Sequence, residues 1–213
     1  MNKHKRKLFK LMLLVLAITG LCFQGVAFAG TPVNSDGVYR QGANGYNHAG
    51  VYSNGSVYEL PGYDHGVELN TMTVFQAGET YYGPYYSSSV DLIGRGFILD
   101  TCSVLDADTT IDYTMYSQMV TEWSPGDWVS PSEVDELRCD GLVEYAYEWN
   151  NFNVWGRANP ANDTGTPQHH DISFTSYVSE HANLGSDEPW IEISPIVQRG
   201  AMGTRWTTLR PRP

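Results

Sequence analysis

A histidine, a carboxylate and a cysteine of the kinds that nucleophilic catalysis uses stand at His48, Glu59 and Cys139. The first two fall in a hairpin. Asn54-Gly55 lies between two β-forming runs, and a type I′ turn needs the positive φ that both residues tolerate. A two-residue loop there sets Ser53 opposite Ser56, Tyr52 opposite Val57, Val51 opposite Tyr58 and Gly50 opposite Glu59. Side chains alternate faces along a strand. Ala49, Val51, Tyr58 and Leu60 therefore share an apolar face that packs on the core, and His48, Gly50 and Glu59 share the other. Glu59 lies diagonal to His48, about 7 Å away at Cα and closer through the side chains, and Gly50 leaves the gap between them open. A carboxylate aimed at an imidazole fixes its tautomer and raises its basicity. The same pair on a solvent-facing hairpin would be ordinary surface groups, and hairpin geometry alone leaves both readings open.

The cysteine stands in Arg138-Cys139-Asp140-Gly141-Leu142, ahead of Leu142, Tyr145, Ala146 and Trp149 at helical spacing. A cysteine at a helix start gains from the positive end of the macrodipole, which favours its thiolate. Gly141 removes bulk, so a substrate or another backbone can approach. Asp140 opposes ionisation of the thiol unless Arg138 offsets it. Upstream, Ser130-Pro131-Ser132-Glu133 reads as a capping box. Were that box to begin one continuous helix, Cys139 would sit in its middle, so the reactive reading requires a break near Leu137-Arg138. Taken alone, the cysteine is as readily structural as reactive.

Other groups carry less. His169-His170-Asp171 with His181 lacks metal-binding spacing, and adjacent histidines point to opposite sides, so a solvated loop is expected and no metal or cofactor. Cys102 reads as a small buried side chain. A Cys102–Cys139 disulfide is the alternative in an exported chain, and it would remove the nucleophile.

The elements that position these groups read as α+β. A short strand is expected at Val38-Tyr39-Arg40, the hairpin over 47–60, and a further strand or short connection over 66–76. Residues 89–104, apolar with Gly94 and Gly96 interrupting, read as buried strand or short helical material. A helix runs through 142–149 and ends at Asn150-Asn151. Residues 157–171 form a polar loop, 172–182 a short helix or strand, and Trp190–Ile193 and Arg205–Leu209 closing strands. No linker divides the chain.

Two segments resemble a known family. Cys-Asp-Gly-Leu-Val-Glu-Tyr-Ala-Tyr at 139–147 is similar to the nucleophile segment of NlpC-type papain-like cysteine peptidases, usually Asp-Cys-Ser-Gly-Leu-Val-x-Tyr. Asn47-His48-Ala49-Gly50-Val51-Tyr52, followed by a turn and Ser56-Val57-Tyr58-Glu59, resembles that superfamily's histidine segment. Here the histidine segment precedes the cysteine segment, an order similar to the circularly permuted branch that includes lecithin retinol acyltransferase-like proteins. The resemblance covers about a fifth of the chain after residue 29. It implies a permuted papain-like fold, an antiparallel sheet packed against a helix carrying the cysteine. It also implies roles: Cys139 as nucleophile, His48 as general base, Glu59 as the residue orienting His48. Asp140 stands where serine is usual and Arg138 where aspartate is usual. The family's oxyanion tyrosine has Tyr113 and Tyr116 as candidates. His170 would serve the unpermuted order but lacks the small-Gly-aliphatic pattern.

Composition bounds the rest. Of 213 residues 41% are hydrophobic, enough for a core, which excludes wholesale disorder. Lys3, Lys5, Arg6, Lys7 and Lys10 lead into the apolar run Leu11–Ile18 and then Ala27-Phe28-Ala29, the pattern of a secretory signal peptide cleaved after residue 29. The run is too short and interrupted for a spanning helix, so no stable membrane anchor is expected after cleavage. Without those five cations the 13 Lys and Arg fall to eight, all arginine, against 24 acids, a net charge of −16. That sign repels nucleic acid phosphates and anionic head groups. The expectation is a single domain over 30–213, secreted or in the cell envelope. It would be a cysteine hydrolase or acyltransferase acting on an amide or ester, on cell-wall peptides. The alternative is a secreted binding or structural domain that keeps the fold without catalysis.

Overall fold

The structure, a computed structural model, describes residues 30–42, 47–115, 118–121, 129–152, 154, 194–200 and 208–213. The expected signal peptide, the 157–171 loop, the 172–182 element and the strand at Trp190–Ile193 lie outside the described residues.

The Asn54-Gly55 turn forms as its residues require. Asn54 takes φ 49° and Gly55 φ 90°, and the strands β2 (Asn47–Ser53) and β3 (Ser56–Glu59) pair in the expected register, Ser53 with Ser56, Tyr52 with Val57 and Val51 with Tyr58. This hairpin sits inside a six-stranded antiparallel sheet completed by β1 (Gly37–Gln41), β4 (Glu68–Thr71), β5 (Tyr81–Tyr86) and β9 (Arg210–Pro211), in the order β4-β3-β2-β1-β5-β9. A second, three-stranded sheet joins β6 (Asp112–Tyr113), β8 (Glu136–Leu137) and β7 (Met119–Val120), with β6 parallel to β8 and β7 antiparallel to it. Of the expected closing strand over Arg205–Leu209, residues 205–207 lie outside the described residues. Thr208 donates its amide to the Val154 carbonyl (2.9 Å), Leu209 is buried, and the described pairs with β5 are made by Arg210 and Pro211.

Both faces of the large sheet are covered. Ala49, Val51, Tyr58 and Leu60 join the main core, as alternation predicts. The opposite face, which carries His48 and Glu59, is covered as well. The short helix α1 (Met72–Gln76) folds back over it, capped by the Thr71 side chain on the Val74 amide (3.3 Å), and drives Phe75 against Val38 and Val57. His48 and Glu59 are consequently 7% and 2% exposed, so they are not surface groups of a solvated hairpin.

Residues 89–104 become a helix rather than a strand. α2 spans Leu92–Ala107, and the Asp91 side chain accepts the Gly94 amide at 2.8 Å to start it. The cap and 16 residues of ladder outweigh the two glycines and the β-formers. Ile98, Cys102 and Leu105 face the core, while Leu92, Ile93, Phe97 and Val104 stay exposed.

The capping box at Ser130 forms: Glu133 accepts the Ser130 amide at 2.8 Å. It begins only a 3-10 turn, Pro131–Glu133. Val134 and Leu137 are drawn into the core in extended backbone, and pairing of β8 with β6 and β7 takes up the backbone a helix would have needed. The break falls where the reactive reading requires it, and α3 begins at Cys139 and runs to Glu148. α3 packs chiefly on β2 and also against α2. Every one of its residues is buried, Asp140, Glu144 and Glu148 included, so the helix lies inside the protein rather than resting one apolar face on it. Gln198, on the short α4 (Pro195–Gln198), ties it down: its amide nitrogen donates to the Asp140 carbonyl (3.0 Å) and to Glu144 (2.7 Å), and its oxygen accepts from the Tyr39 hydroxyl (2.8 Å).

Candidate active site

His48 is held by three neighbouring strands. It stands one residue inside β2, directly opposite Arg40 of β1, and reaches diagonally to Glu59 of β3, where Nε2 meets Glu59 Oε2 at 2.7 Å. Phe75 lies against the imidazole with ring centroids 5.5 Å apart. The gap at Gly50 is not open. A Cβ there would stand 2.5 Å from Val57 Cγ1, 2.6 Å from the Tyr58 carbonyl oxygen and 3.3 Å from the Phe75 ring, so α1 has filled the space left by the absent side chain. Gly50 is required for packing behind His48, not for substrate access.

The second half arrives from α3. Arg138 is the N-cap residue in extended backbone, and Cys139 is the first helical residue, 4% exposed. Its thiol lies close enough to the His48 side chain for the two to interact. With Nε2 committed to Glu59, the ring nitrogen left for the sulfur is Nδ1. Cys139, His48 and Glu59, spread over 91 residues of chain, thus form one series of interacting side chains, with the hydrogen bond between His48 and Glu59. Both Cys139 and Cys102 are free thiols, so the disulfide alternative is not formed.

The charges around the series are arranged in pairs. Asp140, next to the thiol and fully buried, is gripped by Arg138 through two parallel bonds, Nε to Oδ1 at 2.5 Å and a terminal nitrogen to Oδ2 at 2.8 Å. Gln118 adds a third, Nε2 to Oδ2 at 2.9 Å. Arg138 therefore offsets Asp140, as ionisation beside it requires. Gln118 also explains Gly141: a Cβ at 141 would fall 1.9 Å from the Gln118 carbonyl oxygen, so the bulk removed there admits another strand of backbone. The Gln118 carbonyl in turn accepts the Arg138 amide at 3.0 Å. No sequence signal marks Gln118, because it meets the helix start only through the fold of the small sheet.

Burial pushes the His48 pKa down, but the Cys139 thiolate, its hydrogen bond and the Glu59 hydrogen bond together outweigh that cost. The imidazole is lifted from 6.5 to about 9, with Arg40 pulling weakly the other way. The ring accordingly holds its second proton at neutral pH and donates from Nε2 to the Glu59 carboxylate. Tyr113 lies near enough for the same thiolate to act on it. Burial first, and then the Cys139 charge, push its phenol well above the ordinary range. Tyr116, His169, His170, Asp171 and His181 lie outside the described residues. His65, in the loop after the Pro61-Gly62 turn, pairs with Glu68 at 2.7 Å on the surface. Among the described residues no group of three His, Cys, Asp or Glu is placed to hold a metal ion.

A groove of about 520 Å³ between Pro32, Tyr52 and the Leu92–Leu99 side of α2 includes none of these residues and no histidine, cysteine or carboxylate. The Cys139, His48 and Glu59 side chains lie elsewhere, at the junction of β2, β3 and the start of α3. Compared as a whole, the chain matches no family model, no curated protein and no solved structure.

Proposed function

We propose that this protein is a secreted cysteine hydrolase with a permuted NlpC-type papain-like architecture, cutting amide or ester bonds in cell-wall peptides. The observation that carries the reading is the series Cys139–His48–Glu59, assembled from three separate elements with Glu59 2.7 Å from the imidazole. The Cys139 thiolate attacks the substrate carbonyl and the electron pair moves to oxygen. Amides of the first turn of α3, which have no carbonyl four residues behind them, are the donors for that oxyanion. As the intermediate collapses, the C–N bond breaks and the His48 imidazolium protonates the leaving amine. The neutral imidazole then takes a proton from water, the hydroxide adds to the thioester carbonyl, and collapse releases the acid and restores the Cys139 thiolate and His48 imidazolium. An alcohol or amine in place of water would make the same site an acyltransferase. Glu59 keeps the ring turned so that Nδ1 faces sulfur throughout.

The test compares the two cysteines. Iodoacetamide near pH 6 should modify Cys139 well ahead of Cys102, and cell-wall peptides should be cut by the wild type and not by Cys139→Ala. A non-catalytic domain is the second reading, favoured by the near closure of the site, with Cys139 4% and His48 7% exposed. It predicts equally slow labelling of both thiols, and that result would end the hydrolase reading.

A further inference from the structure

We propose that Arg40 is the substrate-recognition residue of this site and takes a carboxylate that the substrate carries close to its scissile bond. The inference rests on the hydrolase reading above and adds the substrate's charge to it. Arg40 is the residue directly opposite His48 across β1 and β2, so the two Cα atoms are about 5 Å apart and both side chains project from the same face. Its guanidinium lies over Phe75, 5.5 Å from the ring centroid, and His48 packs on that ring at the same separation. Phe75 therefore holds cation and imidazole side by side.

The bonding of Arg40 is incomplete. One terminal nitrogen donates to the Gln41 carbonyl at 2.9 Å, while Nε is buried with no partner. Among the described residues its neighbours include no carboxylate at ion-pair distance, although beyond residue 29 the chain has 24 acids for eight arginines. The other charges of the site are paired among themselves, Glu59 with His48 and Arg138 with Asp140. A half-buried guanidinium without an anion costs desolvation and also lowers the basicity of the catalytic imidazole. Its stacking on Phe75 and its one hydrogen bond leave the charge itself without an anion. A substrate carboxylate fits both facts: it pairs with the guanidinium through the terminal nitrogen that does not bond Gln41, and it quenches the charge that acts against the imidazolium. In a strongly acidic protein, which repels anionic peptides from most of its surface, one cation beside the nucleophile selects where such a peptide can dock.

The experiment alkylates Cys139 with iodoacetate and with iodoacetamide, each rate being referred to a small free thiol. In both reagents sulfur bonds to the methylene carbon as iodide leaves, and they differ in carrying a carboxylate or a neutral amide. The wild type should favour iodoacetate, and Arg40→Met should lower the iodoacetate-to-iodoacetamide ratio about 10-fold, the scale of one charge-assisted hydrogen bond. Arg40→Lys should keep most of the preference. Arg40→Gln repeats the measurement where the methionine variant does not fold. A ratio equal in the wild type and in the neutral variants overturns the role of Arg40 while leaving the nucleophile intact, because an arginine that serves structure alone affects both reagents alike. Failure of either reagent to reach Cys139 in the wild type removes the hydrolase reading, and this proposal with it.

Discussion

Cys102 and Cys139 lie on adjacent helices in one core cluster, 0% and 4% exposed, yet their surroundings differ in every other respect. Cys102 sits in the middle of α2, where each amide around it already belongs to the helical ladder. Burial, and then the charge of Asp106, push its thiol well above the ordinary range. Cys139 is the first residue of α3, where the amides have no helical acceptor and the His48 imidazole is close enough to interact with the thiol. The helices differ in the same way. α2 needs only a cap and one buried stripe, and it leaves Leu92, Ile93, Phe97 and Val104 in solvent. α3 is buried all round and is fixed by Arg138, Gln118 and Gln198 at its start and along its length. Burial makes a thiol inert unless something in the same buried space stabilises its charge. The machinery around α3 is there to hold that arrangement still.

The comparison breaks most sharply at the imidazole. His48→Ala should slow both peptide cleavage and Cys139 alkylation about 1,000-fold, within the range of a lost general acid-base group, and leave Cys102 unchanged. Glu59→Gln should cost about 10- to 100-fold, because the ring survives and only its charged hydrogen bond is weakened. If His48→Ala labels at the wild-type rate, the two cysteines do not differ for the reason given.

A smaller and more specific effect is the titration of His48 itself, followed by NMR of the ring. Its midpoint should lie near pH 9 in the wild type. Cys139→Ala removes the strongest upward pull and should bring the midpoint down, whereas Cys102→Ala should leave it in place. Cleavage should fall as pH rises through about 9, since the imidazolium that protonates the leaving amine is lost. A midpoint near the ordinary 6.5 in the wild type would contradict the coupling of thiolate and ring.

The helices can also be compared through their glycines. Gly141→Ala drives a methyl group onto the Gln118 carbonyl and should cost about 3 kcal/mol in denaturant unfolding, with the alkylation rate falling too as the helix start shifts. Gly96→Ala on α2 meets open space and should stabilise by roughly 0.5–1 kcal/mol, with no effect on Cys139. Equal responses would mean that the start of α3 is no more tightly constrained than the outer face of α2.

The Asn54-Gly55 turn, the register it imposes and the sharing of one face by His48 and Glu59 follow from local chemistry: two residues that tolerate positive φ, and a side-chain period of two. The helical spacing of Leu142, Tyr145, Ala146 and Trp149 is local in the same sense. What covers the His48 face was not written there. Phe75 reaches it only because α1 folds back over the sheet, and an exposed hairpin and a buried one have the same alternation. The capping box at Ser130 is equally silent on where its helix stops. The 3-10 turn ends because β8 pairs with two distant strands, and that pairing, not local propensity, puts Cys139 at a helix start. Residue types and short-range patterning therefore determine which groups can do chemistry and how His48 and Glu59 are paired. Their meeting with Cys139, the pairing of Arg138 with Asp140 against Gln118, and the exposure of one flank of α2 are decided by contacts between residues far apart in sequence. Their energies come from shared burial, which no local pattern encodes.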